Sequence, residues 1–471
     1  MTDATPNLYA AREPIFPRRV YGKFRNLKWA VMVVTLGIYY LTPWIRWDRG
    51  PNLPDQAVLI DLAGRRFYFF WIEIWPHEFY FVAGLLIMAG LGLFLFTSAL
   101  GRVWCGYTCP QTVWTDLFIL VERWIEGDRN ARIKLHHANW SIRKARLRVT
   151  KWFAWALIGV ATGGAWVFYF ADAPTLAEQF LTLSAPSVAW VTVAILTATT
   201  FIFGGFMREQ VCIYMCPWPR IQGAMMDNDT LTVGYRDWRG EPRGKKRIAT
   251  AGDCIDCNAC VAVCPMGIDI RDGQQLECIT CALCIDACDE VMEKIGRDRG
   301  LIDYLALSDT PREEAGEKPA AALRHILRPR TILYTMIWAS IGLAMTYALF
   351  VRPDIEMTVA PVRNPTHVVL SDGAVRNTYE LRLRNKHGEP RQFGVHLNGD
   401  LAMRLSLEGT PYHSIGVPAN ETLKLRVYVT AAAGGTASQQ AEAPIRFWVE
   451  DQLNGERAYK NTIFNGTGVA R

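Results

Sequence analysis

Eight of the chain's twelve cysteines form one strict pattern, C-x2-C-x2-C-x3-C written twice within 35 residues. "CIDCNACVAVCP" supplies Cys254, Cys257, Cys260 and Cys264, and "CITCALCIDAC" supplies Cys278, Cys281, Cys284 and Cys288. Three thiolates two residues apart can wrap one face of an iron–sulfur cubane within a tight loop. The fourth falls on a following helical turn and reaches the neighbouring cluster. The spacing therefore assigns Cys254, Cys257, Cys260 and Cys288 to one [4Fe–4S] cluster, and Cys278, Cys281, Cys284 and Cys264 to another. Structural zinc sites use CxxC pairs set farther apart and have no need of a third cysteine at x2 spacing. The second run ends in Asp289 where the first has Pro265, which removes no ligand.

Such sites belong to a reducing compartment, since oxidising ones turn cysteines into disulfides. All cysteines lie between Cys105 and Cys288, and the remaining C-terminal part has none. Half of the 471 residues are hydrophobic and 17 are tryptophan, a membrane profile. A net charge of only +6 argues against nucleic acid as a partner. Five windows reach the roughly 20 apolar residues of a spanning helix: 28–45, 80–100, 152–171, 188–206 and 331–351. Lys and Arg number six in residues 1–28, four in 46–76, ten in 99–152, none in 172–187 and seventeen in 207–330. By the positive-inside rule this alternation places the N-terminus and 207–330 in the cytoplasm, and the tail after five crossings outside. The polar start "MTDATPNLYAAREPIFPRR" reads as a tail without a cleaved signal peptide. "FYFFWIEIW", before Pro76, suits a segment at the outer interface.

The organisation expected is a cytoplasmic tail (1–27), a four-helix membrane region (28–206) and a cytoplasmic segment (207–330). Within that segment a ferredoxin-like two-cluster domain covers about 245–300. A fifth membrane helix (331–351) and an outer domain (352–471) follow. In the last, "YELRLRN", "TLKLRVYV" and "PIRFWVED" alternate apolar and polar residues between turn-rich stretches. That is the signature of an immunoglobulin-like antiparallel β-sandwich. His367, His396, Met403 and His413 are candidates for an outer copper site, although nothing in their spacing unites them. His136 and His137 sit in the basic loop "RNARIKLHHANW", which suits the anionic inner leaflet better than a metal.

The other four cysteines make a second repeated motif, C-x3-C-P, in "RVWCGYTCPQTVW" and "EQVCIYMCPWPR". Residues i and i+4 share a helix face. Cys105 with Cys109, and Cys212 with Cys216, would present paired sulfurs at the cytoplasmic ends of two membrane helices and could meet at one site. Pro110 and Pro217 would stop or bend those helices. Thiolates select Cu(I), zinc or iron–sulfur.

"GRVWCGYTCPQTVW", "CIYMCPWPRIQGAM" and the tandem cysteine runs together resemble the cytochrome c oxidase accessory protein CcoG (FixG/RdxA) family of membrane polyferredoxins, over almost the whole chain. The resemblance implies a role in assembling C-family haem–copper oxidases in the bacterial inner membrane, by reducing Cu(II) to Cu(I). It makes Cys105, Cys109, Cys212 and Cys216 candidates for copper binding or reduction, and it allows a homodimer. A second reading is a quinol- or donor-linked electron-transfer subunit feeding a partner complex, with the aromatics of "WPHEFYF" facing a quinone. A third is a copper chaperone with structural clusters. No GxGxxG fingerprint opens a nucleotide domain, so the electron donor is left open.

Overall fold

A computed structural model describes residues 14–51, 53–245, 250–353, 355–399 and 403–468. The expectations for residues 1–13 of the N-terminal tail lie outside that range. The chain forms two compact units, residues 1–46 with 56–345, and residues 47–55 with 346–471.

The first unit begins with helix α1 (Lys23–Leu41). The aromatic stretch 67–75 lies in a three-stranded antiparallel sheet, β1 (Val58–Asp61), β2 (Arg66–Phe69) and β3 (Ile72–Ile74). Its alternating Phe and Ile residues have the period of two that suits strands, and their run is too short to span. There follow α2 (Tyr80–Leu100), α3 (Val103–Tyr107), α4 (Pro110–Glu126), α5 (Arg129–His137), α6 (Ile142–Val167), α7 (Ala173–Leu181) and α8 (Ser187–Thr200). Helix α8 continues as π-helix over Phe201–Met207 and Val211–Met215.

Among the described residues, three helices are long and apolar enough to cross a membrane: Pro76–Leu100, Ser187–Met215 and Pro329–Val351. The windows at 28–45 and 152–171 are helical too, but α1 and α6 open on basic turns that shorten their apolar length. Helix α6 lies on α8 through Gly159 and Gly163. A Cβ at Gly163 would stand 2.9 Å from the Val193 carbonyl oxygen, and one at Gly159 3.1 Å from that of Thr197. Small residues four apart permit this close approach of two helices in lipid.

Many of the basic residues counted for topology turn inward. Arg132 and Lys151 are buried with Glu122 and Glu126, and the Lys151 Nζ–Glu126 contact is 2.9 Å. Arg25 holds Asp116 through two bonds of 3.0 and 2.7 Å. The loop expected along the inner leaflet is therefore partly an internal ion network around Arg132, and His136 stands beside Phe16 and His137.

The cysteine-rich part is framed by a two-stranded sheet, β4 (Thr232–Tyr235) with β5 (Ile302–Leu305). The helices Ala259–Val263 and Leu283–Ile295 carry the later cysteines of the two runs, Cys260 in the first and Cys284 and Cys288 in the second. Asp286, on the longer helix, accepts from the backbone N–H of Phe24 (3.3 Å) and Arg25 (2.7 Å). It thus caps α1 from a distant part of the chain, satisfying amides that a helix start leaves open.

In the second unit β6 (Ile355–Pro361), β7 (Val368–Val369), β8 (Val375–Asn385), β10 (Met403–Leu407) and β12 (Thr422–Ala431) form one sheet. The other is β9 (Arg391–Asn398), β11 (Ser414–Val417), β13 (Glu442–Asp451) and β14 (Arg457–Asn465), in the order β11-β9-β13-β14. The alternation puts Tyr379, Leu381 and Leu383 from one sheet, and Ile445, Phe447 and Val449 from the other, into a single core. The rings of Tyr379 and Phe447 meet edge-on at 5.2 Å. This is the sandwich expected.

Candidate functional site

The two cysteine runs share one backbone. Asp256 and Asn258 have φ of 53° and 55°, and at the same offsets Thr280 and Ala282 have 53° and 59°. Left-handed residues at both places fold each run into the tight loop that the spacing demands. Asn and Asp enter that region readily, whereas a β-branched Thr is strained there. Backbone strain of this kind concentrates at functional sites.

The runs interleave as expected. Burial first, and then repulsion from Cys260 and Cys257, pushes the Cys288 thiol up to about 12. Cys264 is likewise pushed up to about 12 by burial and by Cys281. Each fourth cysteine thus sits among the first three of the other run. Cys260, Cys264, Cys278, Cys281 and Cys284 line one common cavity. Burial also pushes the Cys260 and Cys278 thiols up to about 11 and raises Cys284 well above the usual thiol range.

All twelve cysteines are free thiols. Among the described residues, no three His, Cys, Asp or Glu side chains form a group that could hold a single metal ion. Eight thiols gathered in two loops yet kept off any one point are a donor set that suits cubanes, which hold their cysteines apart, better than zinc. Arg271, its side chain almost fully buried, lies over the first run. It reaches the Cys254 sulfur at 4.0 Å and bonds Asp256 (2.7 Å), Asn258 and Asp269. Nothing in the sequence pattern marks it.

The C-x3-C-P pairs differ from expectation in local structure. Cys105 lies in α3, but Cys109 is the extended residue that precedes α4, with ψ of 128°. Cys212 lies in the π-helical segment, and Cys216 follows it with ψ of 125°. Neither pair shares a continuous helix face. The old helices stop at both motifs, and new ones begin: Pro110 is the first residue of α4, where the fixed φ of proline and its missing N–H are favoured, and Pro217 precedes the helix Trp218–Met225.

The pairs nevertheless come together. Cys212 is within electrostatic reach of Cys109, Cys105 and Cys216. Burial pushes the Cys105 thiol up to about 11; Arg102 works against that, and Cys109 and Cys216 add to it. Cys105 donates to Gln222 Oε1 at 3.0 Å, and Gln222 Nε2 donates to Thr97 Oγ1 at 3.2 Å.

The group also docks on the second cysteine run. Gly106, inside the first C-x3-C, stands so close that a Cβ would lie 2.6 Å from the Ile279 carbonyl oxygen and 3.0 Å from Cys281 Cα. Tyr107 donates its hydroxyl to the Cys281 carbonyl at 3.2 Å, and Arg102 bonds that of Leu276. Cys105, Cys212, Cys264 and Cys281 pack in one cluster. The spacer residues of the motif, read only as spacing, are the contact surface.

The outer candidates are not gathered. His396 stacks on Trp448 with ring centroids 4.1 Å apart, His367 is half-buried, His413 is exposed, and Met403 lies at the edge of the core.

Known proteins match this architecture along its length. The chain is 65 % identical over 469 residues to protein RdxB of Cereibacter sphaeroides, covering 98 % of both. It is 63 % identical to RdxA of the same organism, covering 94 % of this chain and 95 % of that one. It is 55 % identical to the nitrogen fixation protein FixG of Rhizobium meliloti, covering 98 % and 94 %. The chain belongs to the FixG/RdxA family. Three family models agree: a 4Fe-4S dicluster domain at residues 207–307, a 4Fe-4S binding domain at 81–128, and the Ig-like fold of the FixG C-terminus at 345–467. As a FixG/RdxA protein it is an iron–sulfur electron-transfer protein of a membrane.

Proposed function

We propose that this FixG/RdxA protein reduces Cu(II) to Cu(I) at the cytoplasmic face of the bacterial inner membrane, and that the reduced ion serves assembly of a C-family haem–copper oxidase. Cys254, Cys257, Cys260 and Cys288 would hold one [4Fe–4S] cluster, and Cys278, Cys281, Cys284 and Cys264 the other. Bound there, the clusters supply one-electron transfer.

The observation that carries the reading is the packing of Cys105, Gly106 and Cys212 against the Ile279–Cys281 stretch of the second cysteine run. Cu(II) favours nitrogen and oxygen, whereas Cu(I) favours sulfur, so a thiol group at this place retains the reduced ion. Gln222 orients the Cys105 thiol, which must shed its proton when a metal binds. The Arg102 guanidinium beside Cys105 offsets the thiolate charge. Five crossings with the C-terminal sandwich outside fit the distribution of Lys and Arg, and the sandwich would dock a partner or a second copy.

The test is anaerobic. Reduced protein is given Cu(II) and a Cu(I)-specific chelator beside a Cys254→Ser/Cys278→Ser variant. Cu(I) well above the variant is expected, and equal yields would overturn the reading.

A further inference from the structure

Next to Pro110 the first unit holds a cavity of about 600 Å³, of the size that small-molecule sites take. Tyr39 of α1, Trp114 of α4, Trp166 of α6 and Phe203 of the π-helical stretch form its walls. The rings of Tyr39 and Trp114 meet edge-on at 5.3 Å. A π-helix winds wider than an α-helix and recurs at functional sites. Here it runs over Phe201–Met207, along the cavity.

Four polar side chains interrupt the apolar wall; Thr162 and Thr199 donate to the carbonyls of Ile158 and Ile195 in their own helices, which leaves Gln111 and Thr200. Gln111 Nε2 donates to the carbonyls of Phe203 (2.9 Å) and Arg208 (3.2 Å), which fixes the carboxamide. Its Oε1, and the hydroxyl of Thr200, take no hydrogen bond among the described residues. Gln111 also lines a small polar cavity with Cys212, Asp116 and Lys28. One side chain thus separates an apolar chamber from the thiol group, and Cys109 directly precedes the wall residue Pro110.

We propose that this chamber binds the ring of a lipid-soluble quinol, one ring hydroxyl donating to Gln111 Oε1 with the Thr200 hydroxyl at the same oxygen. Such a molecule is a flat ring with polar oxygens and an apolar tail, and it enters from lipid. Aromatic walls fit the ring, Gln111 and Thr200 fit its hydroxyl, and the absence of any Lys or Arg from the lining disfavours a phosphate-bearing ligand. A plain acyl chain would use neither polar group.

The aromatic stretch at 75–81 is otherwise engaged: Arg66 lies 3.9 Å over the Trp75 ring, and Phe81 is buried. The proposal concerns binding and stands whether or not copper is the substrate.

The full-length protein in lipid nanodiscs is photolabelled under argon with an azido analogue of decylubiquinol, and the adducts are mapped by peptide mass spectrometry. Label is expected within residues 110–114 or 199–204, with protection by decylubiquinol and none by decylbenzene. In Gln111→Leu, protection should require about tenfold more decylubiquinol, the scale of a lost hydrogen bond. Label confined to other segments would overturn the proposal. So would equal protection by decylbenzene, which would mean an acyl-chain occupant. Should Gln111→Leu fail to fold, the wild-type map and the decylbenzene arm decide alone.

Discussion

Single side chains set this protein's chemistry through their surroundings. Asp116 is an example: burial would raise its pKa, but Lys28 and Arg25 outweigh burial and hold it below the usual carboxylate range. A carboxylate depressed on folding contributes stability above its unfolded pKa, and that stability is lost as pH falls through the folded value. Asp116→Asn should therefore cost about 3–5 kcal/mol at neutral pH, the scale of a broken buried pair. The gap in Tm between variant and wild type should close as pH falls below the carboxylate range; a gap independent of pH would rule out the ion pair as its source. The cysteine assignment is tested as directly. Cys288→Ser and Cys264→Ser should each lower iron from roughly eight to roughly four atoms per chain, but from different clusters, as EPR of the two variants would tell. The eight cysteines were legible because thiol spacing is short-range geometry. Arg271 and Gln222 were not, since each reaches its cysteine only through the folded chain, 17 residues away for one and 117 for the other.

At the level of elements, the sandwich strands were legible from period-two alternation, and the two C-x3-C-P motifs from repetition. Their conformation was not. The i, i+4 argument assumed one helix, yet Pro110 and Pro217 each mark a helix start, so the second cysteine of each pair leaves the helix. In the stretch 67–75 aromatic density hid the conformation, and only strand pairing such as Phe67 opposite Ile74 reveals a sheet. The contact of α6 with α8 gives a prediction at this scale. Gly163→Leu would drive a side chain into the Val193 backbone at 2.9 Å, so the two helices must separate. A cysteine pair placed across them should then cross-link poorly, with iron content unchanged; cross-linking as in the parent would contradict the packing argument.

For the whole molecule, the proposal that the two-cluster part faces the cytoplasm rests on two independent arguments, charge counting and cysteine chemistry. Alkaline phosphatase fused after residue 465 should be active, and fused after residue 300 inactive, since the enzyme folds only outside. The reverse pattern would put the cysteine runs in an oxidising space, where free thiols do not persist. The family relation was legible in the motifs, and the C-terminal sandwich in the alternation of its strands. The joining of the membrane thiols to the second cysteine run was not, because it depends on Gly106 and Tyr107, spacers without a pattern of their own. That junction is the account's central claim. The measurement that bears on it most directly is the anaerobic Cu(I) yield of reduced wild type against a variant carrying Cys105→Ser, Cys109→Ser, Cys212→Ser and Cys216→Ser, with iron assayed in the same samples. Equal iron with a Cu(I) yield at least about tenfold lower in the variant is the outcome predicted. Equal iron with an undiminished yield would contradict it.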